Sequence, residues 1–391
     1  MEFSGTNLSF CFLFIAFATI LNPIFALKSC EFPAIFNFGD SNSDTGAMPA
    51  AFLPPNPPYG KTYVQMTPER YSDGRLIIDF TVLNKLSAQS LNHPYLSAYL
   101  NSMGTNFSRG ANFAAAGSTI RIPTSIIPHG ISSPFSLDVQ LQQFLQFKLK
   151  SQLIRKQGGV FATLMPKEEL FPKALYTFDI GQNDIGDALL SKLTIEEVNA
   201  SVPDVVNRFS ANIQSIYNLG GRTFWIHNTG PIGCLPYILA NFPSEKDDAG
   251  CAKPYNELAQ YFNAKLNESI VHLRKNYPWA AFIYVDVYSV KYSLYTTPIK
   301  YGFELPLMAC CGYGGMYNYS NNAGCGAKIV VNGSEVVVGS CDRPWVRVNW
   351  DGIHYTEAAN KFVFDQISSG AFSQPPVPLS MSCMRFNNIA F

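Results

Sequence analysis

Short runs rich in β-branched and aromatic residues recur at Ala34 to Phe38, Ala174 to Ile180, Thr223 to His227 and Ala281 to Val287. Between them lie longer stretches with helical periodicity, at Leu137 to Lys150, Ile195 to Leu219 and Tyr255 to Tyr277. Parallel strands need long crossovers, and helices serve as those crossovers, so the alternation predicts an α/β fold whose parallel sheet is covered on both faces. No internal repeat is present. The Pro- and Gly-rich stretches from Pro54 to Gly60 and from Cys310 to Gly326 read as surface excursions, because the β/α pattern resumes after each. With 47% hydrophobic and 14% charged residues, the chain can bury a large core, unlike a disordered composition. Lys plus Arg and Asp plus Glu both number 28, which argues against charge-driven binding to nucleic acid or anionic membrane.

The segment from Phe10 to Leu21 is almost uniformly apolar, Pro23 follows, and Ala26 offers a small residue for cleavage. Residues 1–26 are therefore expected to be a secretory signal peptide, and residues 27–391 one domain. An uncleaved anchor is the alternative, but the run is short for a bilayer span, and no later segment is apolar enough for one. The destination is expected to be extracellular, or vacuolar after the secretory pathway. Sequons at Asn106, Asn199, Asn267, Asn318 and Asn332 fit a glycoprotein. Cys11 leaves with the signal, and the other eight cysteines permit complete pairing. Adjacent Cys310 and Cys311 are poor partners for each other, so Cys325 and Cys341 are natural candidates. Cys234 and Cys251, a turn-rich loop apart, are expected to join, as are Cys30 and Cys383 near the chain ends. A zinc site is the competing use of cysteine, but no C-x-x-C pair or clustered histidine supports it.

Ligands of open α/β sheets collect at the carboxyl ends of the strands. The first strand runs into Gly39-Asp40-Ser41-Asn42-Ser43-Asp44-Thr45-Gly46, where Gly39 permits a tight turn that exposes the Ser41 hydroxyl. Small residues precede Gly117, leaving room for a substrate oxygen to approach its backbone N–H. The strand ending at Ile180 leads into Gly181-Gln182-Asn183-Asp184 and presents the Asn183 amide. In Trp350-Asp351-Gly352-Ile353-His354 a carboxylate precedes an imidazole by three residues, a spacing that one turn closes. Taken singly, these are a capping turn, a packing glycine, an Asx-turn and a helix-capping Asp. Together and in this order they point to catalysis.

These blocks resemble those of the plant GDSL esterase/lipases of the SGNH hydrolase superfamily, matched by Ser41, Gly117, Asn183 and His354, with Asp351 at the family's D-x-x-H spacing. Tyr71 to Phe80 (YSDGRLIIDF), Asn228 to Cys234 (NTGPIGC) and Cys310 to Gly315 (CCGYGG) match further blocks, so the likeness runs from about Glu31 to the C-terminus. Within the family the chain most resembles early nodule-specific-protein-like esterases and relatives named α-L-fucosidases. Asn42 replaces the Leu of the name-giving motif, and Ala47 stands where many members have Gly or Asn. Neither touches a catalytic group, so both bear on subgroup and specificity. The resemblance implies a flavodoxin-like three-layer sandwich and an oxyanion hole formed by the Ser41 and Gly117 N–H groups with the Asn183 side chain.

The chemistry these residues support is acyl transfer from an ester: His354 deprotonates Ser41, and Asp351 holds the imidazole. A histidine base predicts activity rising through about pH 6–7. No G-x-S-x-G elbow occurs. Of the other histidines, His93, His129 and His272 read as solvated or packing residues. His227 ends a strand and is a candidate for substrate binding, with a semi-buried packing role as the alternative. A glycosidase using carboxylates among Asp40, Asp44, Asp184 and Asp351, an acyltransferase, and a non-catalytic binding protein are the competing functions. No cofactor is required. The expected partner is a small-molecule or glycan-borne ester, with no nucleic acid and no stable membrane insertion.

Overall fold

Strands covered on both faces tolerate apolar residues at every position. That is the pattern of β1 (Ile35–Gly39), β2 (Gly110–Asn112), β3 (Leu175–Asp179), β4 (Thr223–His227) and β5 (Ala281–Val285), all of whose residues are buried. The computed structural model describes residues 30, 32–63, 68–85, 95–101, 105–123 and 133–383, so the expected signal peptide, His93 and His129 lie outside the described residues. An exposed hairpin, β6 (Lys328–Val331) with β7 (Ser334–Val337), stands apart from the main sheet. A short strand, β8 (Ser373–Gln374), completes that sheet in the order β2-β1-β3-β4-β5-β8.

The first five strands run parallel, and β8 pairs antiparallel with β5. The expected sheet is thus mostly parallel, with one reversed edge. Tyr284 and Val285 pair with Gln374 and Ser373, a return too short to leave a hydrophobic signature in the sequence.

Alternate strand residues share a face, and the register puts Phe36, Tyr176, Phe224 and Phe282 side by side on one of them. Their ring centroids are 5.4, 5.6 and 4.7 Å apart in turn, and Phe144 of the helix Leu137–Gln157 meets Phe36 edge-on at 5.3 Å. Such pairs each contribute about 0.5–1.5 kcal/mol beyond their buried area. The helices Leu137–Gln157, Ile195–Asn218 and Lys253–Asn276 pack side by side. A second group consists of Ile77–Lys85, Val287–Thr296 and Glu357–Ser368. In Lys253–Asn276 the buried Leu258, Phe262, Leu266, Ile270 and Leu273 recur at helical spacing, so one face enters the core. The fold is one α/β domain with a central, mostly parallel sheet and flanking helices.

Disulfides join Cys30 to Cys383, Cys234 to Cys251, Cys310 to Cys341 and Cys311 to Cys325, with Cα–Cα distances of 5.8, 4.3, 4.9 and 5.0 Å. The last two tie the cysteine-rich excursion to itself and to Cys341, beside the segment that leads to Asp351. There, Cys310 N–H donates to Asn349 O at 3.0 Å and Cys311 N–H to Trp350 O at 2.6 Å.

Candidate active site

The chain leaves β1 toward β2 on one side and reaches β3 on the other, so a crevice opens beyond the carboxyl end of β1. Ser41 sits there. A Cβ on Gly39 would lie 2.4 Å from Asp179 O, so only glycine permits this close approach. The turn is clamped by Gln140, which accepts from Gly39 N at 3.0 Å and donates to Gly39 O at 2.8 Å. Asp44 ties the same loop to the next one, accepting from Gly46 N at 2.8 Å, Ala47 N at 2.6 Å and Ala116 N at 2.8 Å. Burial dominates its environment and raises its carboxyl's pKa despite these donors. Asn112 reaches across from β2 and donates to Ser43 O at 2.7 Å. Two loops are thereby fixed relative to one another.

Gly117 has φ +75°, the left-handed conformation that glycine adopts without penalty. Among the described residues, neither the Ser41 N–H nor the Gly117 N–H donates a hydrogen bond. Asn183 spends one amide hydrogen on Ser118 O at 3.0 Å. Its neighbour Asp184 accepts from Ile120 N at 2.9 Å and is raised to about pKa 7, chiefly by burial.

Asp351 and His354 occupy one tight turn. Asp351 Oδ1 accepts from the backbone N–H of Ile353 at 2.9 Å and of His354 at 2.8 Å, which swings its Oδ2 to 2.6 Å from His354 Nδ1. The Tyr59 hydroxyl also donates to Oδ2, at 2.8 Å. Burial alone would raise this carboxyl, but the His354 charge and hydrogen bonds outweigh it and hold the pKa at about 2. A carboxylate only accepts, so Nδ1 carries the proton and Nε2 is left as the basic nitrogen. Gly352 is required, since a Cβ there would fall 2.2 Å from the Tyr319 ring. Behind this turn the YSDGRLIIDF block serves the scaffold. Asp73 accepts from Glu357 N at 2.7 Å, and Arg75 pairs with Glu357 at 2.6 Å.

The two halves are neighbours. The Tyr71 ring lies 5.5 Å from the His354 ring, and its hydroxyl feels the charges of both Asp44 and Asp351. Among the described residues Ser41 Oγ forms no hydrogen bond, with His354 or any other group. His272 is exposed on its helix. His227 is 5% exposed and bonds Asp179 through Nδ1 at 3.2 Å, so it packs inside rather than lining the cleft. Tyr59 and Gln140 carry no mark in the sequence, because the groups they brace lie 292 and 101 positions away. Among the described residues no group of three or more His, Cys, Asp or Glu side chains could hold a metal, and no helix is long and apolar enough to cross a membrane.

Residues 35–367 match the model of the GDSL-like lipase/acylhydrolase family. The chain is 60% identical to an esterase of Hevea brasiliensis over 392 residues, spanning 100% of this chain and 98% of that protein. Its identity to the GDSL esterase/lipase ENOD8 of Medicago truncatula is 58%, covering 95% of each. Similarity extends to Alpha-L-fucosidase 3 of Arabidopsis thaliana, at 50% identity over 93% of this chain and 95% of that one. A family match across most of the chain and relatives at this identity, on an α/β sheet whose switch point carries Ser41, lead to one conclusion: the chain belongs to the GDSL-like lipase/acylhydrolase family and is an ester-hydrolysing enzyme.

Proposed function

We propose that the protein is a secreted serine esterase that works through an acyl-serine intermediate. The observation that carries the mechanism is the 2.6 Å contact between His354 Nδ1 and Asp351 Oδ2, which leaves Nε2 as the base. With substrate bound, Ser41 Oγ attacks the ester carbonyl and His354 takes its proton. The hydroxyl-to-imidazole contact closes at this stage, as catalytic hydrogen bonds commonly tighten in the substrate complex. The oxyanion is received by the Ser41 and Gly117 N–H groups and the free hydrogen of the Asn183 amide. Collapse breaks the bond to the alcohol, which leaves with the proton from His354. Water then repeats the sequence and frees the acid.

The four acids weighed for glycoside chemistry have other partners: Asp40 accepts from Asn42, Asp44 and Asp184 accept from backbone N–H groups, and Asp351 holds His354. That favours ester over glycoside chemistry. Eight cysteines joined in four bonds support passage through an oxidising compartment, in keeping with cleavage of residues 1–26 and an extracellular or vacuolar destination for the domain 27–391. The decisive experiment combines fluorophosphonate labelling with hydrolysis of p-nitrophenyl butyrate and p-nitrophenyl fucoside. Labelling and butyrate hydrolysis that both vanish in Ser41→Ala are expected. Fucoside hydrolysis that survives the substitution would overturn the reading.

A further inference from the structure

A second row of ionisable groups lies beneath the nucleophile loop. Asp40, immediately after β1, is 1% exposed, and its N–H donates to Asp179 O at 3.1 Å. Asp179 ends β3 and meets His227, which ends β4. Beyond them Lys291, on the helix after β5, is 2% exposed. Its ammonium sits 4.6 Å from the Tyr355 ring centroid and forms no ion pair among the described residues. Two more polar atoms here are buried with no partner among the described residues, Asp40 Oδ2 and His227 Nε2.

Charge counting across this row is informative. One carboxylate and one ammonium balance; a second carboxylate would be an uncompensated buried charge directly before the nucleophile. Asp179 has the donors, with His227 Nδ1 at 3.2 Å and the Lys291 charge nearby. Asp40 accepts on Oδ1 only, from Asn42 N and Nδ2, both at 2.9 Å.

We propose that Asp40 is a positioning residue that acts as a neutral acid, and that the ionised Asp179, held by His227 and Lys291, keeps negative charge away from Ser41. The role rests on Ser41 being the nucleophile: an ionised neighbour would oppose the oxyanion that forms at its N–H. Burial first, then the Asp179 charge, raise the Asp40 carboxyl to about 7. Burial would raise Asp179 too, but the His227 hydrogen bond and Lys291 charge hold it below the usual carboxylate range. Among the other groups facing Asp40, His354 acts in the opposite direction, while Gln140 from the covering helix is uncharged.

The test is a double-mutant cycle in the full chain, reading kcat and KM for p-nitrophenyl butyrate. Asp179→Asn relieves the restraint on Asp40. It is expected to lower kcat about tenfold relative to the wild type near pH 6, where wild-type Asp40 is still protonated, and much less near pH 8, with KM little changed. Adding Asp40→Asn is expected to return most of that loss, which a merely structural role for Asp179 would not allow. A loss equal at both pH values and unrelieved by Asp40→Asn overturns the proposal. Should Asp179→Asn fail to fold, infrared spectra of the wild type near pH 6 decide. They are expected to show a protonated-carboxyl band that Asp40→Asn removes, and its absence overturns the assignment. Fluorophosphonate labelling of Ser41 in the wild type separates the two failures: without it the nucleophile is wrong, whereas with it only the role of Asp40 is at stake.

Discussion

Asp351 Oδ2 accepts two hydrogen bonds at once, from His354 Nδ1 at 2.6 Å and from the Tyr59 hydroxyl at 2.8 Å. The first orients the His354 imidazole; the second comes from a residue 292 positions away in the Pro-rich loop and restrains the carboxylate's rotation. Asp351→Asn is therefore expected to lower kcat by roughly 10³–10⁴, because the imidazole loses its productive tautomer. Tyr59→Phe removes one charge-assisted hydrogen bond, worth about 1.5–3 kcal/mol, part of which acts in the transition state. Steady-state assays should show a kcat loss well below that of Asp351→Asn. Equal losses would mean that Tyr59 contacts the reacting atoms.

Asn183 keeps one amide hydrogen on Ser118 O, leaving the other free for the oxyanion role proposed above. Asn183→Ala is expected to cost about 2.7–4 kcal/mol in the barrier, seen as a kcat loss of roughly 10²–10³ with KM little altered. A change confined to KM would assign the amide to ground-state binding.

Stability should respond to pH in two opposing windows. The Asp351 carboxyl is lowered from 3.8 to about 2, so its contribution is present above about pH 4 and is lost as pH falls through 2. Burial raises Asp184 from 3.8 to about 7, so its contribution is full below about pH 4 and disappears as pH rises through 7. Urea unfolding of Asp184→Asn beside the wild type reads the second window. The variant should gain on the wild type between about pH 4 and 7, by on the order of 2–4 kcal/mol in total. A constant difference would refute the neutral buried acid.

The disulfide Cys311–Cys325 closes a 14-residue separation and secures a backbone that bonds Trp350, next to Asp351. Replacing both cysteines by serine should cost about 3 kcal/mol of stability. Activity should fall further than the folded fraction does, because Trp350 loses its brace. Peptide mapping without reductant should recover all four bonded pairs.

Glycan occupancy should follow exposure. Asn332 is exposed at the tip of the β6–β7 hairpin and Asn106 is exposed in its loop, whereas the Asn318 amide donates to Ala309 O at 3.0 Å. Mass spectrometry after enzymatic deglycosylation is expected to find Asn332 and Asn106 modified and Asn318 bare.

Much of this was legible from residues alone. Strands buried on both faces announce themselves as apolar runs. The turn from Asp351 to His354 is a three-residue spacing whose contacts are local, so the sequence itself dictated that pair. The turn carrying Ser41 was readable for the same reason: Gly39 marks a turn at a strand end. What no local pattern encodes is partnership across the sheet. Tyr59 on Asp351, Gln140 on Gly39 and the row from Asp40 through Asp179 and His227 to Lys291 join segments tens to hundreds of residues apart. Strand order sets the row by deciding which carboxyl ends become neighbours, and the packing of loops and helices against the sheet sets the rest. Only tertiary structure could also show His227 as a buried partner of Asp179, because a strand-ending histidine looks the same in sequence whether it faces cleft or core.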